Sequence, residues 1–265
     1  MPLKALRLRL RTLLALVALI AFLLWAGAWI WSPLNRFSAG LRQDLPDYLR
    51  REAAIGLGSG IPPWEVERAV SVLIRTLGDP SPRVRESAAA GLAGHGSDAK
   101  VAIPFLLKLV EDPDRGARAS ALGALGFIEQ GNEAKPEVMS ALRRALDDGD
   151  PEVRLMAADA LVKLGDIRPV ASVLVSAMAT TDYEGRAKAI LRRVGPGTKI
   201  LIPEFAKFVT DPDPGRREAA LRLLVDHGGP EAVKSALRRG LQDRDESVRQ
   251  WAASTMDRLG LAASP

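Results

Sequence analysis

The chain writes one phrase repeatedly, and that repetition limits what it can fold into. "LGDPSPRVRESAAAGLAGHG" begins at residue 77, "LDDGDPEVRLMAADALVKLG" at 146, "VTDPDPGRREAALRLLVDHG" at 209 and "LQDRDESVRQWAASTMDRLG" at 241. The copies align on Arg85, Arg118, Arg154, Arg186, Arg217 and Arg249, with steps of 33, 36, 32, 31 and 32 residues. A near-constant period of this size is the mark of stacked supersecondary units. No single unit can bury its own apolar face, so each must cover the next.

The unit reads as a helix pair. Three residues after the aligning arginine stand Ala88, Ala121, Ala157, Ala189, Ala220 and Ala252, and further apolar positions follow at offsets 4, 7 and 11. These offsets share one side of a helix, B. Ser81-Pro82, Asp150-Pro151 and Asp213-Pro214 each put a capping oxygen before a proline at the first helical position. Gly165, Gly195, Gly228 and Gly260 are suited to left-handed helix ends. Six residues before the arginine stand Asp79, Asp112, Asp148, Thr180, Asp211 and Asp243. Upstream of each lies helix A, with Leu73, Leu106, Leu142, Leu174, Phe205 and Leu237 on its apolar face. A worn copy precedes these: Arg50 has Asp44 six before it, Ala53 three after and Leu57 seven after.

Residues 64–260 resemble HEAT repeats, of the short HEAT-like kind also found in phycobilisome lyases. "DGDPEVRLMAADALVKLG" carries the pattern D-P-D-P-x-V-R-x-x-A-A-x-A-L-x-x-L-G almost complete. The resemblance implies an all-α fold, an α-α superhelix (HEAT solenoid) of about six to seven helix pairs. It also implies a structural ladder of hydrogen bonds joining Asp79, Asp112, Asp148, Asp211 and Asp243 with Arg85, Arg118, Arg154, Arg217 and Arg249. An arginine on a core-facing helix side independently demands a partner, because an unpaired buried charge is costly.

The start of the chain reads differently. Residues 1–11 are a basic flank with Lys4, Arg7, Arg9 and Arg11, and nothing from Thr12 to Asn35 is charged. About 20 apolar helical residues cross a bilayer core, and Trp25, Trp29 and Trp31 cluster at one end, as indoles do at headgroups. The expectation is a transmembrane signal anchor over 12–32, then a degenerate capping repeat over 33–63 and the solenoid over 64–265. One transmembrane helix would thus precede the stack and make the lipid bilayer a partner. The basic flank places the N-terminus in the cytoplasm and the solenoid outside it. Ala26-Gly27-Ala28 leaves the alternative of secretion after cleavage near Ala28.

The net charge of +5 resides largely in that flank, so residues 36–265 are nearly neutral. That disfavours nucleic acid, which needs a concentrated Lys/Arg footprint. The absence of cysteine removes disulfides and thiol chemistry. His95 and His227 are the only histidines, both ten residues after an aligning arginine and four repeats apart, too far to share a metal. The D-x-D pairs lack the glycine and glutamate of a calcium loop and read as caps. No cofactor is expected, and no catalytic motif stands out.

The outward side of helix B offers Ser87, Ser120, Met156, Arg222 and Trp251 as binding positions on a concave face. The function expected is a membrane-anchored scaffold for protein–protein interaction without catalysis. The alternatives are an enzyme of the lyase-like or base-excision HEAT type, or a nucleic-acid-binding solenoid. The copy over 167–195 is the weakest. Thr180 replaces aspartate, Gly185 replaces the usual valine and Arg193 a core leucine. Its helix B looks short, and it is expected to act as a bend or hinge.

Overall fold

A computed structural model of the 265-residue chain describes Ile20 and residues 32–261. Among the described residues seven helix pairs follow one another. The first pair is α1 (Pro33–Ala39) with α2 (Asp47–Leu57), and the second α3 (Val66–Thr76) with α4 (Pro82–Gly94). Then come α5 (Ile103–Leu109) with α6 (Arg115–Ile128), and α7 (Pro136–Arg144) with α8 (Pro151–Lys163). The last three are α9 (Ala171–Met178) with α10 (Thr181–Val194), α11 (Ile202–Ala206) with α12 (Pro214–His227), and α13 (Pro230–Leu241) with α14 (Glu246–Arg258). Among the described residues there is no strand. The fold is an all-helical repeat solenoid.

The placement expected from the leader is corrected. Among the described residues no helix is long and apolar enough to cross a membrane. Single-pass placement, with the extracytoplasmic solenoid and lipid contact that rested on it, is therefore withdrawn, and so is the secreted alternative. The expected anchor itself, residues 12–32, lies outside the described residues except for Ile20 and Ser32. Ser32 belongs to the solenoid. It is buried, its hydroxyl N-caps α1 by accepting from the Asn35 N–H, and it donates to Glu65 Oε1 at 2.6 Å.

The core runs the length of the stack. Leu73, Leu106, Leu142, Leu174 and Phe205, one from each of five successive helices A, are fully buried, and Leu237 is 1% exposed. In helix B the aligned alanines at 88, 121, 157, 220 and 252 are buried. Ala189 is the exception and faces solvent. The buried side of α10 is instead Ala187, Ile190, Leu191 and Val194, a stripe set one position later than in the other copies. Nor is α10 short: it begins at Thr181, with only two residues between it and the end of α9, because the interhelix turn has shrunk.

In four of the turns between helices A and B, two aspartates spaced two residues apart organise the chain. The first accepts the backbone N–H of the second: Asp112 from Asp114 at 2.9 Å, Asp148 from Asp150 at 2.9 Å, Asp211 from Asp213 at 3.0 Å and Asp243 from Asp245 at 2.9 Å. The second then caps helix B. Asp114 accepts from Ala117 N–H, Asp150 from Glu152 and Val153, Asp213 from Gly215 and Asp245 from Ser247. Ser81, expected to do the same, makes no side-chain cap, and its hydroxyl donates to Asp47 Oδ2 at 3.3 Å. Gly165, Gly195 and Gly260 are left-handed with φ of 83°, 56° and 64°. Gly228 is not; its φ of −78° and ψ of 159° are extended.

The arginines tie unit to unit. Arg85 Nη1 donates to the carbonyls of Asp79 at 2.9 Å and Pro80 at 3.2 Å in its own unit. Its Nε and Nη2 donate to the Asp112 carboxylate of the next unit at 2.8 and 2.7 Å. Arg50 reaches Asp79 in the same fork at 2.9 and 2.9 Å, and Arg217 reaches Asp243 at 2.8 and 2.7 Å. The fork breaks twice. Arg154 finds Thr180 where the next carboxylate would stand, and Arg186 turns back to Glu152 at 2.7 Å and leaves Asp211 to Arg216 at 3.4 Å. The partner that Thr180 fails is thus Arg154 of the preceding unit, and not Arg186 of its own.

The rows pack unequally. Helices α2, α4, α6 and α8 lie side by side in extensive contact, whereas helices A touch one another little. The tighter row is the inside of the curve. Glycine allows its closest approaches: a Cβ on Gly94 would stand 2.3 Å from the Gly58 carbonyl oxygen, and one on Gly126 2.8 Å from Ala160 Cβ. Beyond α8 the row loosens. α10 meets α8 less closely than the earlier helices B meet one another, and within the preceding unit α12 packs on α9 instead of α10.

Candidate functional site

The loosened row leaves a groove where α12 and α14 face α10. It holds about 470 Å³ and is lined by Met178 at the end of α9, Glu184 and Lys188 of α10, Arg222, Val225 and Asp226 of α12, and Trp251, Ser254, Thr255 and Arg258 of α14. A second hollow of about 440 Å³ shares Met178, Lys188 and Asp226 and adds Leu191, Arg192, Gly195, Thr198, Leu223 and His227. Both sit on the inner side, where the stripe shift of α10 and its short turn remove the close helix contact seen earlier in the stack.

Of the five positions expected to bind, the structure brings two together. Arg222 and Trp251 both line the groove, and Trp251 is half-buried against the core. The other three lie in the tight half of the stack. Ser87 is buried, Ser120 is half-buried, and Met156 lies over Gly123 of the neighbouring helix. Close helix packing has closed the inner face there.

Charge in the groove is mixed and basic in balance. Lys188 pairs with Glu184 at 2.6 Å, and Arg222 pairs with Glu218 at 2.6 Å. The Lys188 hydrogen bond, helped by the charge of Arg222, holds the Glu184 carboxyl below the usual range. Arg192 and Arg258, one on each side, make no ion pair among the described residues. Aspartate and glutamate therefore balance only part of the positive charge, and Trp251 adds an aromatic ring to the lining.

Residues outside the groove are accounted for by packing. His95 is the C-cap of α4, and its Nε2 meets the Leu57 carbonyl oxygen at 2.7 Å. His227 ends α12. Lys163 lies 3.5 Å from the Phe127 ring centroid and pairs with Asp159 at 2.8 Å, and burial lowers its pKa. Asp159 also receives Arg193, the residue that replaces a core leucine. Among the described residues no group of three or more His, Asp or Glu side chains is placed to hold a metal ion.

No curated protein matches the chain. Among solved structures it is similar to an engineered protein at 22% identity, covering 86% of this chain and 96% of that one, with a TM-score of 0.44. It is similar to the complex of CpcE and CpcF of phycocyanin lyase from Nostoc sp. PCC7120 at 22% identity, covering 85% and 94%, with a TM-score of 0.48. A homology model of the full-length AP-3 complex gives 15% identity over 85% of this chain and 50% of that one, with a TM-score of 0.53, a likeness of fold alone. The family model for HEAT repeats matches residues 34–126 and 103–192. With its paired helices, recurring Asp-x-Asp turns and interlocking arginines, the chain belongs to the HEAT repeat family.

Proposed function

We propose that the chain is a HEAT-repeat interaction scaffold without chemistry of its own. An acidic segment of a partner protein seats in the groove between α10, α12 and α14, with Trp251 as the anchor. Residues 33–63 serve as the cap that closes the other end of the stack. The observation that carries this reading is the groove with its adjoining hollow: a half-buried tryptophan and Met178 among Lys188, Arg222 and Arg258, with Arg192 in the hollow. Binding energy concentrates in large aromatic and arginine side chains in partly desolvated hollows, and complementary charge selects the partner and speeds its arrival. The CpcE/CpcF and AP-3 relatives are parts of protein complexes, which is in keeping with a protein partner.

The test is site-specific photocrosslinking in cells. A benzophenone amino acid at Ser254, inside the groove, should capture one partner through a segment of net negative charge. Capture should be lost with Trp251→Ala and with Arg222→Glu. The same reporter at Ser235, exposed on α13, should capture nothing comparable. Equal capture at both positions, or a crosslinked segment that is basic, would sink the proposal.

A further inference from the structure

The break in the arginine ladder leaves more than a missing bond. Arg154 keeps the pose of its counterparts: Nη1 donates to the carbonyls of Asp148 at 2.7 Å and Gly149 at 3.1 Å, matching Arg118, which clamps Asp112 and Pro113 at 2.9 and 3.2 Å. With the guanidinium held this way, Nε and Nη2 present the edge that receives a carboxylate in four other units. At Arg154 that place belongs to Thr180, whose hydroxyl donates back to α9 at Ala177 O, 3.2 Å away. Among the described residues Arg154 is the one ladder arginine with the carbonyl clamp and no carboxylate. Arg249 is satisfied by Glu246.

A hollow of about 170 Å³ opens at this place, lined by Arg154, Ser176, Thr180 and Tyr183 with the apolar Pro151, Leu155, Val173 and Ala177. Three acids of the Arg154 unit are engaged elsewhere. Asp148 is held by Arg118, Asp150 by Arg115 at 3.1 Å, and Glu152 by Arg186. Arg154 itself makes no ion pair among the described residues. We propose that this hollow is a carboxylate-binding site, in which a ligand carboxylate takes the position of the absent aspartate and accepts both hydrogens of the Arg154 fork. The planar guanidinium matches a carboxylate bidentately, which a point-charge ammonium does not. The Tyr183 hydroxyl, which makes no hydrogen bond among the described residues, is available as a further donor. The site is separate from the groove and does not depend on it.

The carboxylate has two possible sources, a small organic acid or an acidic side chain of a bound protein, and one titration separates them. The Arg154 Nε–H signal of the full chain is followed by NMR and identified by its loss in Arg154→Lys. Sodium acetate and a capped peptide bearing glutamate are added in turn, with sodium chloride at matched ionic strength as control. A saturable shift with acetate and not with chloride is expected. Peptide binding tenfold or more tighter than acetate assigns the site to a protein side chain, and equal binding assigns it to small acids. In Thr180→Asp the signal should already sit at the saturated position and ignore both ligands. No response to either carboxylate, a response to chloride alike, or an undiminished response in Thr180→Asp would overturn the assignment. Binding of inorganic phosphate in preference to both would overturn it as well.

Discussion

Arg118 joins two units through one guanidinium. Its Nε and Nη2 donate to the Asp148 carboxylate at 2.9 Å each, while Nη1 holds the Asp112 carbonyl of its own unit at 2.9 Å. The pair is about four-fifths shielded, with side-chain exposures of 19% and 16%. Arg118→Met removes the fork and leaves Asp148 a shielded carboxylate without its cation. Breaking one side of such a pair costs about 1–3 kcal/mol when solvent still reaches it, and more when it does not. Urea unfolding should show a loss in this range for Arg118→Met, and Arg118→Met with Asp148→Asn should recover part of it. No recovery in the double variant would mean that the cost lies in lost packing and not in the stranded charge.

The same pairs set a response to acid. The Arg217 hydrogen bond holds the Asp243 carboxyl below the ordinary carboxylate range. For Asp112 and Asp148 burial alone would raise the pKa, but Arg85 and Arg118 respectively, the Asp114 and Asp150 N–H groups and the surrounding positive charge outweigh it. A lowered native pKa means that the unfolded chain binds protons first, so acidification favours unfolding. The contribution is complete above the unfolded aspartate value of about 3.9, and is lost as pH falls through the lower native values. Unfolding free energy should therefore drop steeply as pH falls below about 4–5. Arg217→Met should flatten that drop. A slope unchanged by Arg217→Met would argue that other carboxylates govern acid unfolding.

Two glycines on helices B should answer the same substitution with opposite signs. A Cβ at Gly94 would lie 2.3 Å from the Gly58 carbonyl oxygen, whereas nothing lies within 4 Å of one at Gly185. Neither has positive φ. Gly94→Ala should cost about 1–3 kcal/mol through overpacking, partly offset by helix propensity. Gly185→Ala should gain up to about 1 kcal/mol from the reduced freedom of the unfolded chain. Thermal midpoints that move the same way would show that α2 and α4 part readily to admit a methyl group.

The helix pairs, the capping aspartates and the buried leucines were legible because each is decided within one copy of the repeat. Asp150 caps α8 by bonding residues two and three ahead, and Leu142 is buried because of where it falls on its own helix. What lay beyond reading was set between copies. The fork partner of Arg85 is Asp112, 27 residues on, and alignment of copies cannot say which neighbour a side chain reaches. The same holds for α10. Aligning Arg186 with the other arginines placed Ala189 in the core, while a turn of two residues rotated the helix and buried Ile190 instead. The groove follows from that rotation, so only its rim residues, Arg222 and Trp251, could be nominated in advance. Gly91 and Gly94 were a missed signal: paired small residues on one helix mark where a neighbour comes close.

The unit of α9 and α10 should be the least stable part of the interior. Its ladder is broken on both sides, at Arg154 facing Thr180 and at Arg186 turned to Glu152, while the one ion pair of Asp211 among the described residues is the 3.4 Å contact with Arg216. The replacement pair of Arg186 and Glu152 is exposed, with 43% and 44% of the side chains accessible, and exposed pairs contribute little. Gly185 weakens the first turns of α10, and α12 rests on α9 without supporting α10 in the inner row. In a stack whose stability is a sum of units and nearest-neighbour interfaces, the unit with two weak interfaces opens first and divides the array into two cooperative blocks. Hydrogen exchange should therefore find residues 180–195 the least protected among the internal repeats. Residues 148–165, locked to α6 by the Arg118 fork, should exchange far more slowly. Thr180→Asp, which restores a carboxylate opposite Arg154, should slow exchange in 180–195 specifically. Protection of 180–195 equal to that of 148–165 in the unmodified chain would remove the hinge from the arc.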